Sequence, residues 1–393
     1  MHTRPCWVEI NTQQLERNLR FLTTLSGPDV DLLAIVKANA YGHSLQLCGP
    51  AAVRAGAQWL GVTSVEEGIA ARRLCPDARI LVISGPFPGQ GRDVLQNKLT
   101  PIVWDSWQFD ELEAAARAAD VRSVSVHLEI DTGMSRQGAD PQSLSALLVR
   151  FHRHSPLRLE GVMTHLFAAD EADEIVTGDQ LDRLEQAMRF ITSAGIHPGT
   201  LNVGNTAALL AGQGHKISSL AARYTMKTLM RPGLALYGIV PEYDPGFSSA
   251  EPISLGEARH VLRPVLEWKS QVVSVRSIAP GAVVGYNGTF VATEPMRIAL
   301  VAAGYADGLD RQLGNRFNLL VRGQRAPLVG RISMDQSVID ITEIPGVSAG
   351  DEVVILGCQG TESITAYDHA KTAGTIPWEV FTRIGERVPR VAI

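Results

Sequence analysis

Only four cysteines are spread through the 393 residues, and no two of them form a CxxC pair. Cys6, Cys48, Cys75 and Cys358 lie far apart, which suits reduced thiols in a cytoplasmic protein, each an apolar filler rather than a ligand. No apolar run reaches the roughly 20 residues that a membrane-spanning helix needs. The first stretch, "MHTRPCWVEINTQQLERNL", contains no hydrophobic signal core. Excess charge is missing too: the net charge is −5, with no basic face or cluster, so no nucleic-acid partner is expected. The chain has no GxxxxGK[ST], no GxGxxG after a strand, no HExxH and no GxSxG, which argues against a P-loop, the usual dinucleotide fold, a zincin and an α/β-hydrolase. It also lacks internal repeats and low-complexity tracts. What remains is an ordinary globular composition, 45% hydrophobic and 20% charged, on a chain long enough for two domains.

The first two-thirds of the chain alternates short apolar runs with helix-like stretches. Eight runs read as strands: 32–36, 60–63, 80–84, 100–103, 124–130, 159–164, 200–203 and 228–230. Between them lie stretches such as "DSWQFDELEAAARAAD" and "TGDQLDRLEQAMRFITSAG", the second with Thr177 or Asp179 as its expected cap and its end near Gly195. Eight β–α alternations with nearly continuous apolar strands predict a parallel (β/α)8 TIM barrel, with a doubly wound sheet as the alternative. After about residue 256 the pattern changes to short β runs broken by Gly and Pro, including "RPVLEWKSQVVSVRSIAPGAVVGYNGTF" and "DEVVILG". We therefore expect a barrel domain over 12–256 and a β-rich domain over 257–393, with the N-terminal strand 1–11 packed on the latter. The linker is expected near "PEYDPGFSSAEPISLGEA".

Lys37 ends the first expected barrel strand, on the face where barrel enzymes gather their reactive groups. A lysine there forms a Schiff base with a carbonyl cofactor once its surroundings lower its pKa. Taken alone, a strand-end lysine is more simply a solvated side chain.

The surrounding stretch changes that reading. "AIVKANAYGHS" closely resembles the pyridoxal-phosphate signature of the alanine racemase family. "HLEIDTGMSRQG", "THLFAADE", "NVGNTAA", "RPGLALYG", "GYNGTF", "GYADGL", "RISMDQ" and "RVPR" match the same family in order, over nearly the whole chain. The resemblance implies pyridoxal 5′-phosphate bound to Lys37 and a homodimer whose active sites are shared. It implies interconversion of L- and D-alanine, with the D-alanine supplying peptidoglycan precursors. Racemisation removes the α-proton from one face of the amino acid and returns one to the other, so two opposed acid–base groups are needed. By resemblance these are Lys37 and Tyr286, the tyrosine entering from the partner subunit; an ordinary tyrosine titrates near pH 10, so a lowered pKa is expected of it. His165 resembles the histidine linking that tyrosine to Arg231, and Arg231 resembles the donor to the cofactor's pyridine nitrogen. Arg136 resembles the arginine that contacts the cofactor's phenolic oxygen and the substrate carboxylate. Asn205, Thr206, Gly233 and Leu234 follow the seventh and eighth strands, where barrels bind phosphate, and Tyr41 is a further phosphate candidate by resemblance. Met334 and Asp335 match partner-subunit residues near the substrate carboxylate. Tyr305 and Arg311 resemble the gate and its support at the entrance. No metal is expected.

Two positions depart from the family pattern. Glu129 stands where many members carry a lysine, often carbamylated; both present a carboxylate, so Glu129 is expected to orient Arg136. Trp378 stands where many members have a tyrosine near the cofactor phosphate. The segment "LAGQGHKISSLAARYTMKT" also looks long. These differences leave open a racemase of broader range, acting on serine or basic amino acids. A barrel-type amino-acid decarboxylase shares the "VKAN" stretch but not "RPGLALYG" or "GYNGTF". A pyridoxal-phosphate homeostasis protein, the reading outside catalysis, resembles the barrel alone.

Overall fold

The computed structural model describes residues 4–171, 174–242 and 253–393. A first strand β1 (Cys6–Ile10) is followed by eight strands, β2–β9: Val30–Ile35, Trp59–Val62, Arg79–Val82, Thr100–Val103, Val124–Glu129, Leu157–Met163, Thr200–Asn205 and Lys227–Arg231. These close into a parallel barrel, each pairing with the next and β9 pairing back onto β2. Each coincides with one of the eight apolar runs, shifted only at its ends. The strands read as continuous apolar runs because both faces are buried, one by the barrel interior and one by the surrounding helices. Gly61 shows how tightly the interior is filled: a Cβ there would lie 2.3 Å from Leu33 Cδ2 and 2.6 Å from Ile35 Cδ1.

Local chemistry sets the helices between the strands. Asp105 caps the helix Ser106–Ala118, and Gln108 completes the reciprocal capping box. The helix expected to start at Thr177 or Asp179 instead spans Ile175–Ser193, so neither residue caps it; Thr177 is buried within it. Glu174 precedes the helix without capping it, its carboxylate accepting from Gln213 Nε2 at 2.9 Å and pairing with Lys216. The long stretch between β8 and β9 is filled by two helices, Thr206–Leu210 and Gly214–Arg223.

The chain divides into two compact units: Gln13–Ala40 with Cys48–Arg263, which holds the barrel, and Met1–Thr12 with Tyr41–Leu47 and Pro264–Ile393. Most of the expected linker lies outside the described residues; helix Ile253–Val261 follows it. In the second unit a long strand β10 (Leu266–Ile278) pairs antiparallel with β1, Val8 opposite Trp268. Its sheet runs in the order Gln324–Pro327, Asn318–Val321, Glu352–Gln359, β10, β1, Arg390–Ala392. The alternating burial of β10 is that of a sheet with one covered face. Among the described residues no helix is long and apolar enough to cross a membrane.

Candidate active site

The C-terminal ends of the barrel strands deliver the candidate residues. Val36 N donates to Gly61 O at 2.9 Å, which carries the ladder one residue past β2 and leaves Lys37 at its mouth. The backbone then turns sharply. Ala38, Asn39, Ala40 and Tyr41 all hold φ between 50° and 58°, a left-handed turn that costs about 1–2 kcal/mol per non-glycine residue. Glu67 holds the start of this turn. Its carboxylate accepts from Ala38 N at 2.7 Å and from Thr63 N at 2.8 Å. Gly42 follows at φ 78°, where a Cβ would lie 2.3 Å from Phe381 O. Strain of this kind is stored where a side chain has to be held in one place.

Arg231 ends β9 and is buried. The β8–β9 register shifts between Asn202 and Asn205, a bulge that sets Arg231 opposite Asn205. Arg231 reaches acceptors on β8 and just past β7. Its NH1 donates to Asn202 O at 2.8 Å and Asn202 Oδ1 at 2.6 Å; its NH2 donates to Thr164 O at 2.9 Å and His165 Nδ1 at 3.2 Å. A guanidinium has five N–H donors, so among the described residues the Nε–H is the one left over. Because His165 accepts at Nδ1, its neutral ring carries the proton on Nε2.

Three cations converge here and act on one another. Burial first, then Arg136 and Arg231, hold the Lys37 amine below the ordinary lysine range, against a raising influence from Glu67. Burial, Arg231, Arg136 and Lys37 push the His165 ring down to about 3. Burial lowers Arg231 to about 10, with Glu129 opposing. Burial raises the Glu129 carboxyl to about 7, against the Gln137 hydrogen bond and the charges of Arg231 and Arg136. The site is thus electropositive, with a lysine eased toward its neutral, nucleophilic form.

The loop after β6 carries Arg136. Asp131 Oδ1 accepts from Gly133 N and Ser135 N at 2.9 and 3.1 Å, and Gly138, at φ 115°, leaves no room for a Cβ against Asp131 N, 2.5 Å away. Arg136 is exposed. The expected contact between Glu129 and Arg136 is replaced by Gln137, whose amide bridges Glu129 Oε2 and Ile83 O; among the described residues, Arg136 has no hydrogen bond to Glu129. The pinched base of the loop turns Gln137 inward and leaves Arg136 outside.

The phosphate candidates of the barrel come together. Thr206 Oγ1 accepts from Gly233 N at 2.9 Å and Ala235 N at 3.4 Å. Asn205 caps the short helix that Thr206 begins, accepting from Ala208 N at 3.0 Å. Leu234 starts a 3-10 turn just after Gly233. Tyr41 belongs to the second unit, and burial raises its phenol to about 12.

The remaining candidates lie in that second unit. Tyr286 sits at the tip of the hairpin Val283–Val284/Phe290–Val291 and is 67% exposed. Tyr305 and Met334 are also exposed, at 43% and 53%. Backbone bonds join them, since Tyr305 N donates to Ser333 O and Ala306 N to Met334 O. Asp307 is buried beneath them and clamped by two arginines. Arg4 reaches its Oδ2 at 2.6 Å and Arg387 its Oδ1 at 2.8 Å, while Arg387 also reaches Asp335 Oδ1 at 2.8 Å. Arg311 is exposed in a 3-10 turn, and Trp378 is half-buried in the helix Pro377–Thr382.

Sequence reasoning missed Glu67, Asn202, Gln137 and the Asp307 clamp. Glu67 carried a signal, since Ser64 and Glu67 form the S-x-x-E pattern of a capped helix start. The others depend on a bulge, a pinched loop and long-range ion pairs, for which no local pattern exists.

Known proteins with this architecture share one description. "Alanine racemase, N-terminal domain" matches residues 10–241, and "Alanine racemase, C-terminal domain" matches residues 265–392. An alanine racemase of Sorangium cellulosum (strain So ce56) is 38% identical, over 98% of each chain. The crystal structure of alanine racemase from the D-cycloserine-producing Streptomyces lavendulae superposes with a TM-score of 0.87 at 34% identity, covering 100% of this chain and 98% of that one. Alanine racemase from Bartonella henselae, solved with covalently bound pyridoxal phosphate, superposes with a TM-score of 0.81 at 25% identity and 99% coverage of both.

Proposed function

Since this chain belongs to the alanine racemase family, we propose that Lys37 and Tyr286 are the two opposed acid–base groups of its reaction, the tyrosine coming from a second copy of the chain. The protein is a pyridoxal-phosphate-dependent isomerase that interconverts L- and D-alanine. One observation carries the assignment of Lys37: its amine stands at the barrel mouth, lowered in pKa by burial and flanked electrostatically by Arg136 and Arg231.

The donor set fits pyridoxal 5′-phosphate. Lys37 supplies the amine that holds it, and the spare Nε–H of Arg231 suits an acceptor nitrogen in its ring. Thr206 and the Leu234 amide, with Asn205 and Tyr41, supply the phosphate end, and the Gly233 N–H holds the Thr206 hydroxyl in place. When bound, the cofactor makes the α-carbon of the amino acid acidic enough to lose its proton. The protein's own groups then divide the work. Lys37 Nζ, eased toward neutrality, accepts or returns a proton on one face. The Tyr286 hydroxyl does so on the other. His165 is neutral and carries its proton on Nε2, so it offers a donor to the tyrosine oxygen and stabilises its anion. Arg231 fixes that tautomer by occupying Nδ1. It remains protonated at neutral pH, so it would donate to an acceptor nitrogen without giving up its proton. Arg136 meets the substrate carboxylate, with Met334 and Asp335 of the second copy close by, and Tyr305 and Met334 narrow the mouth toward a small side chain. Glu129, Arg311 and Trp378 support these groups.

The shared site draws support from the second unit's surface. Val283, Tyr286, Val291, Tyr305 and Met334 are all more than two-fifths exposed. Gly285 and Gly330 let the hairpin lie close against the 330–331 backbone: a Cβ on Gly285 would lie 3.1 Å from Arg331 N, and one on Gly330 2.6 Å from Val284 O. Such an apolar and aromatic surface suits cover by a second copy. A cytoplasmic homodimer feeding D-alanine into peptidoglycan precursors is the setting this reading gives.

Mixing separately purified Lys37→Ala and Tyr286→Phe proteins, unfolded and refolded together, tests it. Random pairing makes half of the dimers hybrid, each with one undamaged site, so about a quarter of wild-type activity should return. No return, with wild-type protein refolding fully in parallel, would refute the shared site.

A further inference from the structure

Asn202 grips the Arg231 guanidinium, and a side chain with no role assigned above backs Asn202 in turn. His127 lies on β6, two residues before Glu129, and is completely buried. Its Nδ1 lies 3.4 Å from Asn202 Nδ2. The other amide atom of Asn202, Oδ1, accepts from Arg231 NH1 at 2.6 Å. That contact fixes the amide with its oxygen toward the cation and its NH2 toward the imidazole. An NH2 group only donates, so His127 Nδ1 accepts and the ring proton sits on Nε2. Among the described residues this buried Nε2 has no partner. Burial lowers the ring to about 4, so it is neutral at neutral pH.

The barrel makes room for this ring. Gly161 on β7 faces it, and a Cβ there would lie 2.6 Å from Cε1 and 2.7 Å from Nδ1. The Trp59 indole meets it edge-on, with centroids 5.7 Å apart. A leucine would fill much of the same space without stranding a buried N–H, and would be the more stable occupant.

We propose that His127 is a positioning residue for the racemase reaction: it holds the Asn202 amide in the one orientation that fixes the Arg231 guanidinium against His165. The chain His127–Asn202–Arg231–His165 is then centred on Arg231, which donates to Asn202 on one side and to His165 on the other, while Asn202 donates on to His127. The His127 Nε2–H stays buried without a partner among the described residues, and the spare Arg231 Nε–H stays aimed as the backbone and the amide together set it. This inference rests on the role given to Arg231 above.

Three measurements on the holoenzyme test it. Selective ¹⁵N-histidine labelling should show a His127 Nδ1 without a proton and a protonated Nε2; a protonated Nδ1 would overturn the proposal whatever the variants do. His127→Leu should fold, melting at or above the wild-type temperature. Its kcat should fall about tenfold, its KM for L-alanine should stay within about twofold, and its affinity for pyridoxal phosphate in dialysis should weaken. His127→Asn places an amide oxygen where Nδ1 was and should return kcat to within about threefold of wild type. A folded His127→Leu with unchanged kcat, or a His127→Asn that fails to restore it, would make the ring a packing element and end the proposal. If the wild-type protein itself did not racemise alanine, the proposed function would fail instead, while the ¹⁵N spectrum would still judge the hydrogen bond.

Discussion

Glu129 is a carboxyl buried at the end of β6, with Gln137 as its direct partner. Burial raises it from the ordinary 4.5 to about 7, net of the attraction of Arg231 and Arg136. A raised carboxyl binds its proton more tightly in the folded chain than in the unfolded one. Its stabilising contribution is therefore full below about pH 4.5 and is lost as the pH rises through about 7. At about 1.4 kcal/mol per pH unit, the whole displacement is worth roughly 3 kcal/mol, of which about 2 to 3 falls between pH 5 and pH 9. Glu129→Gln keeps the shape and cannot ionise. Urea titrations across that range should show the variant gaining about 2 to 3 kcal/mol on the wild type as the pH rises. The same ionisation places a negative charge where Arg231 and Arg136 feel it. kcat/KM of the wild type should accordingly carry a step near pH 7 that the variant lacks, with the variant about tenfold slower at pH 8. A stability difference independent of pH, or equal activity at pH 8, would refute the argument.

Two further substitutions probe the second unit. Gly42→Ala puts a Cβ into the Phe381 carbonyl at a left-handed φ and should cost more than about 3 kcal/mol in urea denaturation, or prevent folding. Asp307→Asn weakens a buried clamp whose arginines are about a third exposed; it should cost roughly 2 kcal/mol. By loosening the Met334–Asp335 loop it should also raise KM for L-alanine more than it lowers kcat.

Much of this was legible in the residues. Eight continuous apolar runs gave the barrel because strands buried on both faces must be apolar throughout. Lys37 stood out because an amine closes such a run. The ends of β6, β7, β8 and β9 contributed Glu129, His165, Asn205 and Arg231 through motifs whose spacing follows the strands. What fixes those side chains was not legible. The partners of Arg231 depend on a register shift between Asn202 and Asn205, and a bulge leaves no periodic trace. The partner of Glu129 depends on a loop closed by Gly138, which turns inward the residue after Arg136. The Thr177 or Asp179 cap was misplaced because Ile175 and Val176 extend the helix two residues ahead of Thr177. The left-handed turn at Ala38–Tyr41 runs against the preference of every residue in it but Asn39, so no propensity argument reaches it.

The most direct measurement is chiral chromatography of purified protein incubated with pyridoxal phosphate and L-alanine, beside L-serine and L-lysine. The account predicts D-alanine as the dominant product, approaching a one-to-one mixture with L-alanine, abolished by Lys37→Ala and severely reduced by Tyr286→Phe. Racemisation that survives Lys37→Ala with the cofactor present, or D-product chiefly from serine or lysine, would contradict it.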